Sequence, residues 1–407
     1  MRSIFFCTLF ISCYSCIGQD TSCVFDRRIQ LNSFLSRGSV SVNFGYIQYP
    51  FTNSNLITNG YEAESVRISH FAARILLGYN ISKTFSVHYS VMRAAIWSSY
   101  SFTNVLGEVE KHGVAVNEWG LTLKSRLPIG PNNIVFLEAG PGLLSRNGFT
   151  TGNGYASITD ENYFTLLSCA GVQRKLGNNW EGVFMATFSP ESKSHKQPYT
   201  VFASLGFVYH MHKSSDEVVA KRAASPFIFP KQYLQIGAAS NLLGFTANDL
   251  FSIEGKRLGL PIFWRGVVQA QTGGAITYQK NVFHTGSVFS LDWGTSLSFW
   301  QTEIKKDQFF AISVFPVIRL WFLRNKYTDN YFVYSIVGPS YVSKQLLDDR
   351  DIGSRITYQD FLGLGFFFGK QQKLNVELKI VHYSNGNIFA VNPGVDIPLM
   401  LNFGYAF

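Results

Sequence analysis

From Phe289 to Phe299 the chain alternates without a break. Phe289, Leu291, Trp293, Thr295, Leu297 and Phe299 hold the odd positions, and Ser290, Asp292, Gly294, Ser296 and Ser298 the even ones. A period of two is the period of a β-strand, whose successive side chains leave opposite faces. Segments of the same kind, about ten residues long and broken by turn signals, begin near Tyr233, Gly266, Phe309, Tyr331, Phe361, Leu374 and Leu399. With the segment at Phe289 they make a set of eight. A parallel set begins near Ser39, Ile68, Phe85, Val116, Ile134, Phe164, Trp180 and Tyr199. There Phe85, Val87, Tyr89 and Val91 alternate with Ser86, His88 and Ser90.

Two sets of eight predict an all-β chain of two tandem antiparallel barrels, because eight strands close around a lumen that side chains can fill. The polar stretch HKSSDEVVAKRAASP (212–226) reads as a linker. The expected organisation is a signal peptide over residues 1–18, an N-terminal barrel over 30–211, a linker over 212–229 and a C-terminal barrel over 230–407. One barrel of sixteen strands is the alternative, with the polar stretch as a long turn.

Composition says what surrounds these barrels. Hydrophobic residues make up 46% of the chain and charged residues only 15%, whereas soluble domains carry about a quarter charged residues. Yet no run after the first residues approaches the roughly 18 apolar positions of a membrane helix. Apolar surface without apolar runs belongs to strands that turn every second residue to lipid, which is a transmembrane barrel. The opening MRSIFFCTLFISCYSCIGQD has the basic start, short apolar run and small residues of a secretory signal, with cleavage expected after Gly18. Cys13 or Cys16 as a lipidation site is the rival reading. The net charge of +9 is spread along the chain, which suits loops and anionic headgroups and gives no surface for nucleic acid. Beyond the signal only Cys23 and Cys169 remain, and their separation suits neither a metal site nor a disulfide framework. The chain ends LNFGYAF, with Leu401, Phe403, Tyr405 and Phe407 on one face. This resembles the terminal signature of bacterial outer-membrane barrels, and implies the barrel-assembly machinery as a partner through Phe407.

The candidate chemistry lies in the seventh segment of the second set. Leu374, Val376, Leu378 and Ile380 share a face that His382 and Ser384 continue, so regular geometry aims both polar groups at lipid. Polar groups on an outer wall are costly except near the headgroups, and the segment ends here. With both termini periplasmic, this end of the strand meets the outer leaflet. A histidine two residues from a serine on one strand face can take the hydroxyl proton and make the serine a nucleophile. Asp396 is the carboxylate available in the following stretch to orient it, and N–H groups near Asn385–Asn387 could meet an oxyanion. The plain alternative stands beside this: a strand-end histidine binding headgroups, followed by ordinary turn-forming residues.

These residues, His382-x-Ser384-Asn385 followed by Asn392-x-Gly394-x-Asp396, resemble the outer-membrane lipid A 3-O-deacylases, also described as acyloxyacyl hydrolase-like proteins. The resemblance implies an eight-stranded barrel with Ser384 as nucleophile, His382 as general base and Asp396 as orienting acid. It further implies that Asn392 shapes the loop and that Asn385 and Gly386 lie at the oxyanion hole. The family typically places Glu where this chain has Asp396. Implied with it are an ester hydrolase needing no metal or organic cofactor, lipid A or lipopolysaccharide as substrate, and the Gram-negative outer membrane as location, with the site facing the outer leaflet. The acyl chain is expected near Ile380 and Phe389. The matching strand end of the first half offers Thr187, Ser189 and a later His195, and this barrel is read as non-catalytic. A barrel without chemistry, serving structure, adhesion or transport, is the competing function.

Overall fold

The computed structural model describes residues 26–58, 62–95, 97–103, 107–152, 154, 156–251, 266–389 and 391–407; the expected signal peptide and Cys23 lie outside them. Two closed antiparallel rings of eight strands account for almost all of it. The first is built of β1 (Gly38–Gln48), β2 (Phe71–Asn80), β3 (Phe85–Ala94), β4 (Val109–Pro128), β5 (Asn133–Asn147), β6 (Glu161–Lys175), β7 (Trp180–Ser189) and β8 (Thr200–His210). It closes where β1 meets β8, with Ser39 opposite His210. The second comprises β9 (Gln232–Ser240), β10 (Val268–His284), β11 (Phe289–Thr302), β12 (Gln308–Arg324), β13 (Thr328–Val342), β14 (Ile356–Phe368), β15 (Leu374–Ser384) and β16 (Val395–Ala406). It closes where β9 meets β16, with Tyr233 opposite Ala406. Two separate closures exclude a single sixteen-stranded ring. Between the rings, α1 (Asp216–Ala223) occupies part of the polar stretch.

Alternation along each strand becomes an inside and an outside. On β11 Ser290, Asp292, Ser296 and Ser298 are buried in the lumen, while Trp293, Leu297 and Phe299 are exposed on the wall. The lumens are filled. In the second barrel Arg319 pairs with Asp292, Lys379 lies 3.2 Å from Glu377, and the Tyr331 hydroxyl donates to Glu377 at 2.9 Å. Buried charges survive in pairs because an isolated one would lose its hydration without return. Around them pack Phe315, Phe361, Phe367, Trp321 and other apolar side chains. Cys169 is a free buried thiol in the first barrel, 3.6 Å from the sulfur of Met185.

Residues before β1 reach across to the second barrel at the end where its termini lie. Arg28 donates to the carbonyls of Phe229 and Pro230 and, at 3.0 Å, to the Asn281 side chain. From α1 within the linker, Arg222 donates to the Ile29 carbonyl at 2.7 Å.

Candidate active site

The strand β15 carries two faces to the loop end of the second barrel. Tyr383 points inward, its hydroxyl 3.1 Å from the Ser298 hydroxyl in the lumen. His382 and Ser384, on either side of it, therefore leave the strand on the outer face. Both are nevertheless buried, as is Ile380 below them, only 4% exposed. The expected acyl path past Ile380 is thus covered, whereas Phe389 in the following loop is 39% exposed.

Asp396 belongs to β16 rather than to the loop. In a regular ladder its parity would oppose that of Leu399 and Leu401 on the wall. A bulge changes this: Lys379 pairs with Met400 but Val381 with Ile397, so three steps of β16 face two of β15. The extra residue turns Asp396 outward, directly opposite His382. The imidazole Nε2 lies 3.9 Å from Asp396 Oδ1, an ion-pair distance still about 1 Å longer than a hydrogen bond.

Gly394 explains part of the ring's position. Its φ is +68°, and a Cβ there would sit 2.7 Å from His382 Nε2. No side chain fits without displacing the imidazole.

The loop after Ser384 is fixed by its asparagines. The Asn385 N–H donates to Asn392 Oδ1 at 2.9 Å, its side chain donates to the Val391 carbonyl at 2.7 Å, and Asn392 Nδ2 donates to Asn387 Oδ1 at 2.7 Å. Asn385 and Asn392 thus support the loop. Since the Asn385 N–H is already engaged, the expectation that it meets an oxyanion needs correction, and Gly386 is the next N–H along the chain.

A second carboxylate escaped the sequence reading. Asp360 on β14 lies opposite His382 on its other side, and accepts the Val337 N–H at 2.6 Å where β13 bulges. Its signal was present: in the series Tyr358, Asp360, Leu362, Leu364, Phe366 it is the one charge on a lipid-facing parity.

Hydrogen-bond geometry by itself would favour another site. In the first barrel Ser86 Oγ lies 3.1 Å from His88 Nε2, and His88 Nδ1 lies 3.0 Å from Glu138 Oε2. Glu138 also accepts from Arg74 and from Thr122, each at 2.7 Å. The adjoining cavity of about 20 Å³ holds roughly one water and no acyl chain. This cluster is lumen packing. His195 does not assemble with Ser189 either; it lies 2.8 Å from Glu161, while Ser189 meets Thr165 at 3.2 Å.

Together the fold and the site define a class: a small transmembrane barrel with a serine, a histidine and a carboxylate on the outer face of one hairpin. Residues 268–406 match the family model described as "Lipid A 3-O-deacylase (PagL)", so the resemblance carried by His382 to Asp396 is borne out for the C-terminal barrel. Lipid A deacylase PagL of Bordetella bronchiseptica is 30% identical over 95 residues, 23% of this chain and 49% of that protein. The chain thus spans about half the length of the curated relative it matches. Similar solved structures include the outer membrane enzyme PagL, at 14% identity and TM-score 0.31 over 43% of this chain and 99% of that one. Neisserial surface protein A follows at 12% identity and TM-score 0.30, over 42% and 96%.

Proposed function

We propose that the protein is an outer-membrane esterase that removes an ester-linked acyl chain, the 3-O-linked one, from lipid A. The observation that carries this reading is the pairing of His382 with Asp396 on the outer wall, with Ser384 two residues along the same face. Ser384 Oγ attacks the ester carbonyl carbon while His382 takes its proton. The oxyanion of the tetrahedral intermediate meets the Gly386 N–H. Collapse releases the sugar hydroxyl, which His382 protonates, and leaves the acyl group on Ser384. Water, deprotonated by His382, then frees the fatty acid and restores the serine. Asp396 holds the imidazole in place and stabilises its charged form; approach of substrate would shorten the 3.9 Å separation to hydrogen-bonding range. Neither metal nor organic cofactor enters these steps.

A site at the loop end of the outer wall suits a substrate that never leaves the bilayer: with the wall at Ile380 covered, the acyl chain lies by the exposed Phe389 and the headgroup at the surface.

The test is the mass of lipid A from a lipopolysaccharide-making host that expresses the protein. Loss of one hydroxyacyl mass is expected with the native chain, and none with Ser384→Ala at equal insertion. An unchanged lipid A pattern with correctly inserted native protein would return the chain to the reading of a structural, adhesive or transport barrel.

A further inference from the structure

The first barrel has no chemistry of its own in the reading above, yet its wall is not uniformly presented to lipid. On β4, Leu123, Leu121 and Trp119 share the outer face; the two leucines are 49% and 55% exposed and the tryptophan only 8%. An aromatic girdle would leave such a ring facing the membrane interface. Here the ring is covered by the second barrel. Its edge lies 3.4 Å from where a Cβ on Gly386 would stand, and its Nε1 donates to the Asn387 carbonyl at 3.4 Å. Tyr89, on the neighbouring strand β3, has its ring 5.9 Å from that of Trp119 and its hydroxyl in the neighbourhood of the Tyr358 hydroxyl. Tyr358 is the residue paired with Ser384.

These two aromatic residues therefore touch both flanks of the serine, its strand partner and the turn that follows it. That turn needs holding. Gly386 and Asn387 both adopt left-handed backbone, at φ +65° and +58°, a conformation that costs a non-glycine residue about 1 kcal/mol. Glycine at 386 also leaves room for the tryptophan edge.

We propose that Trp119 is a positioning residue for the site on the other barrel: it clamps the Gly386–Asn387 turn, and with it the oxyanion-binding N–H. This rests on the esterase reading for its catalytic consequence, though not for the clamp itself. It also gives the tandem arrangement a reason, since the second barrel needs the wall of the first to complete its loop.

The test uses the full chain in detergent or vesicles, comparing native protein with Trp119→Ala and Trp119→Phe. Ester release from lipid A and hydrogen–deuterium exchange over residues 385–394 are both measured. Trp119→Ala should lower kcat by roughly tenfold or more with KM within about twofold, and exchange should quicken in the loop but not in β15. Trp119→Phe, which keeps a ring but loses the N–H, should recover most of both. Native kcat and native loop exchange in Trp119→Ala would overturn the proposal. So would a raised KM with kcat intact, which would make the ring a substrate contact, or faster exchange in every strand, which would make it a folding residue. If the native protein releases no fatty acid, the esterase reading fails while loop exchange still decides the clamp.

Discussion

At the scale of the residue, His382 is the pivot, since a carboxylate lies on each side of it. Asp396 faces it across β16 and Asp360 across β14, but their commitments differ. Asp360 holds the Val337 N–H at a bulge, a structural task. Asp396 lies 3.9 Å from the imidazole. Asp396→Asn should therefore cut lipid A deacylation by about 100-fold or more. Asp360→Ala should leave turnover within about threefold and lower stability by roughly 1–3 kcal/mol, the cost of an orphaned N–H. Turnover assays with urea midpoints decide between them, and the reverse result would give Asp360 the orienting role.

Single residues are placed by their elements, and here the deciding element is the end of a strand. A period-two reading of β16 turns Asp396 toward the lumen; the bulge beyond Ile397 turns it back. Loops at the same end are tied by carboxylates. Asp307 accepts the Asp348 N–H at 3.0 Å and lies 3.2 Å from Lys344. The Asp348 N–H and Lys344 hold its carboxyl below the ordinary value of 3.8. A depressed carboxylate stabilises the fold above its unfolded pKa, and that contribution fades as pH falls through the lower, folded one. Acidification below about pH 4 should lower amide protection in the 343–355 loop of the native protein, with exchange measured relative to the intrinsic rate at each pH. Asp307→Asn should show fast exchange already at neutral pH and little further change; an identical pH profile in both would remove the tie.

For the whole molecule, two closed rings explain why charge is scarce outside and why several buried charges are paired inside. Arg319 with Asp292, and Lys379 with Glu377, occupy the second lumen, while Arg74 and Glu138 occupy the first. Among the described residues both lumens are filled with buried side chains, so planar bilayers containing the inserted protein should show no steady conductance. Stepwise channels would contradict the packed lumens and favour a transport role.

Alternation and the scarcity of charge were enough to determine sixteen wall-forming strands and the face on which His382 and Ser384 stand, whereas the two closures of the folded chain decided between two rings and one. The strands and the face follow because side-chain direction along a strand is local geometry. The motif from His382 to Asp396 was legible for the same reason, since its members lie within one hairpin. What turned Asp396 toward the histidine was a bulge, set by the register between two strands. What engaged the Asn385 N–H was a loop's own asparagines, and what covered Trp119 was the other barrel. Those are contacts between segments distant in space or in register, which periodicity along one strand cannot carry; only the folded chain could decide them.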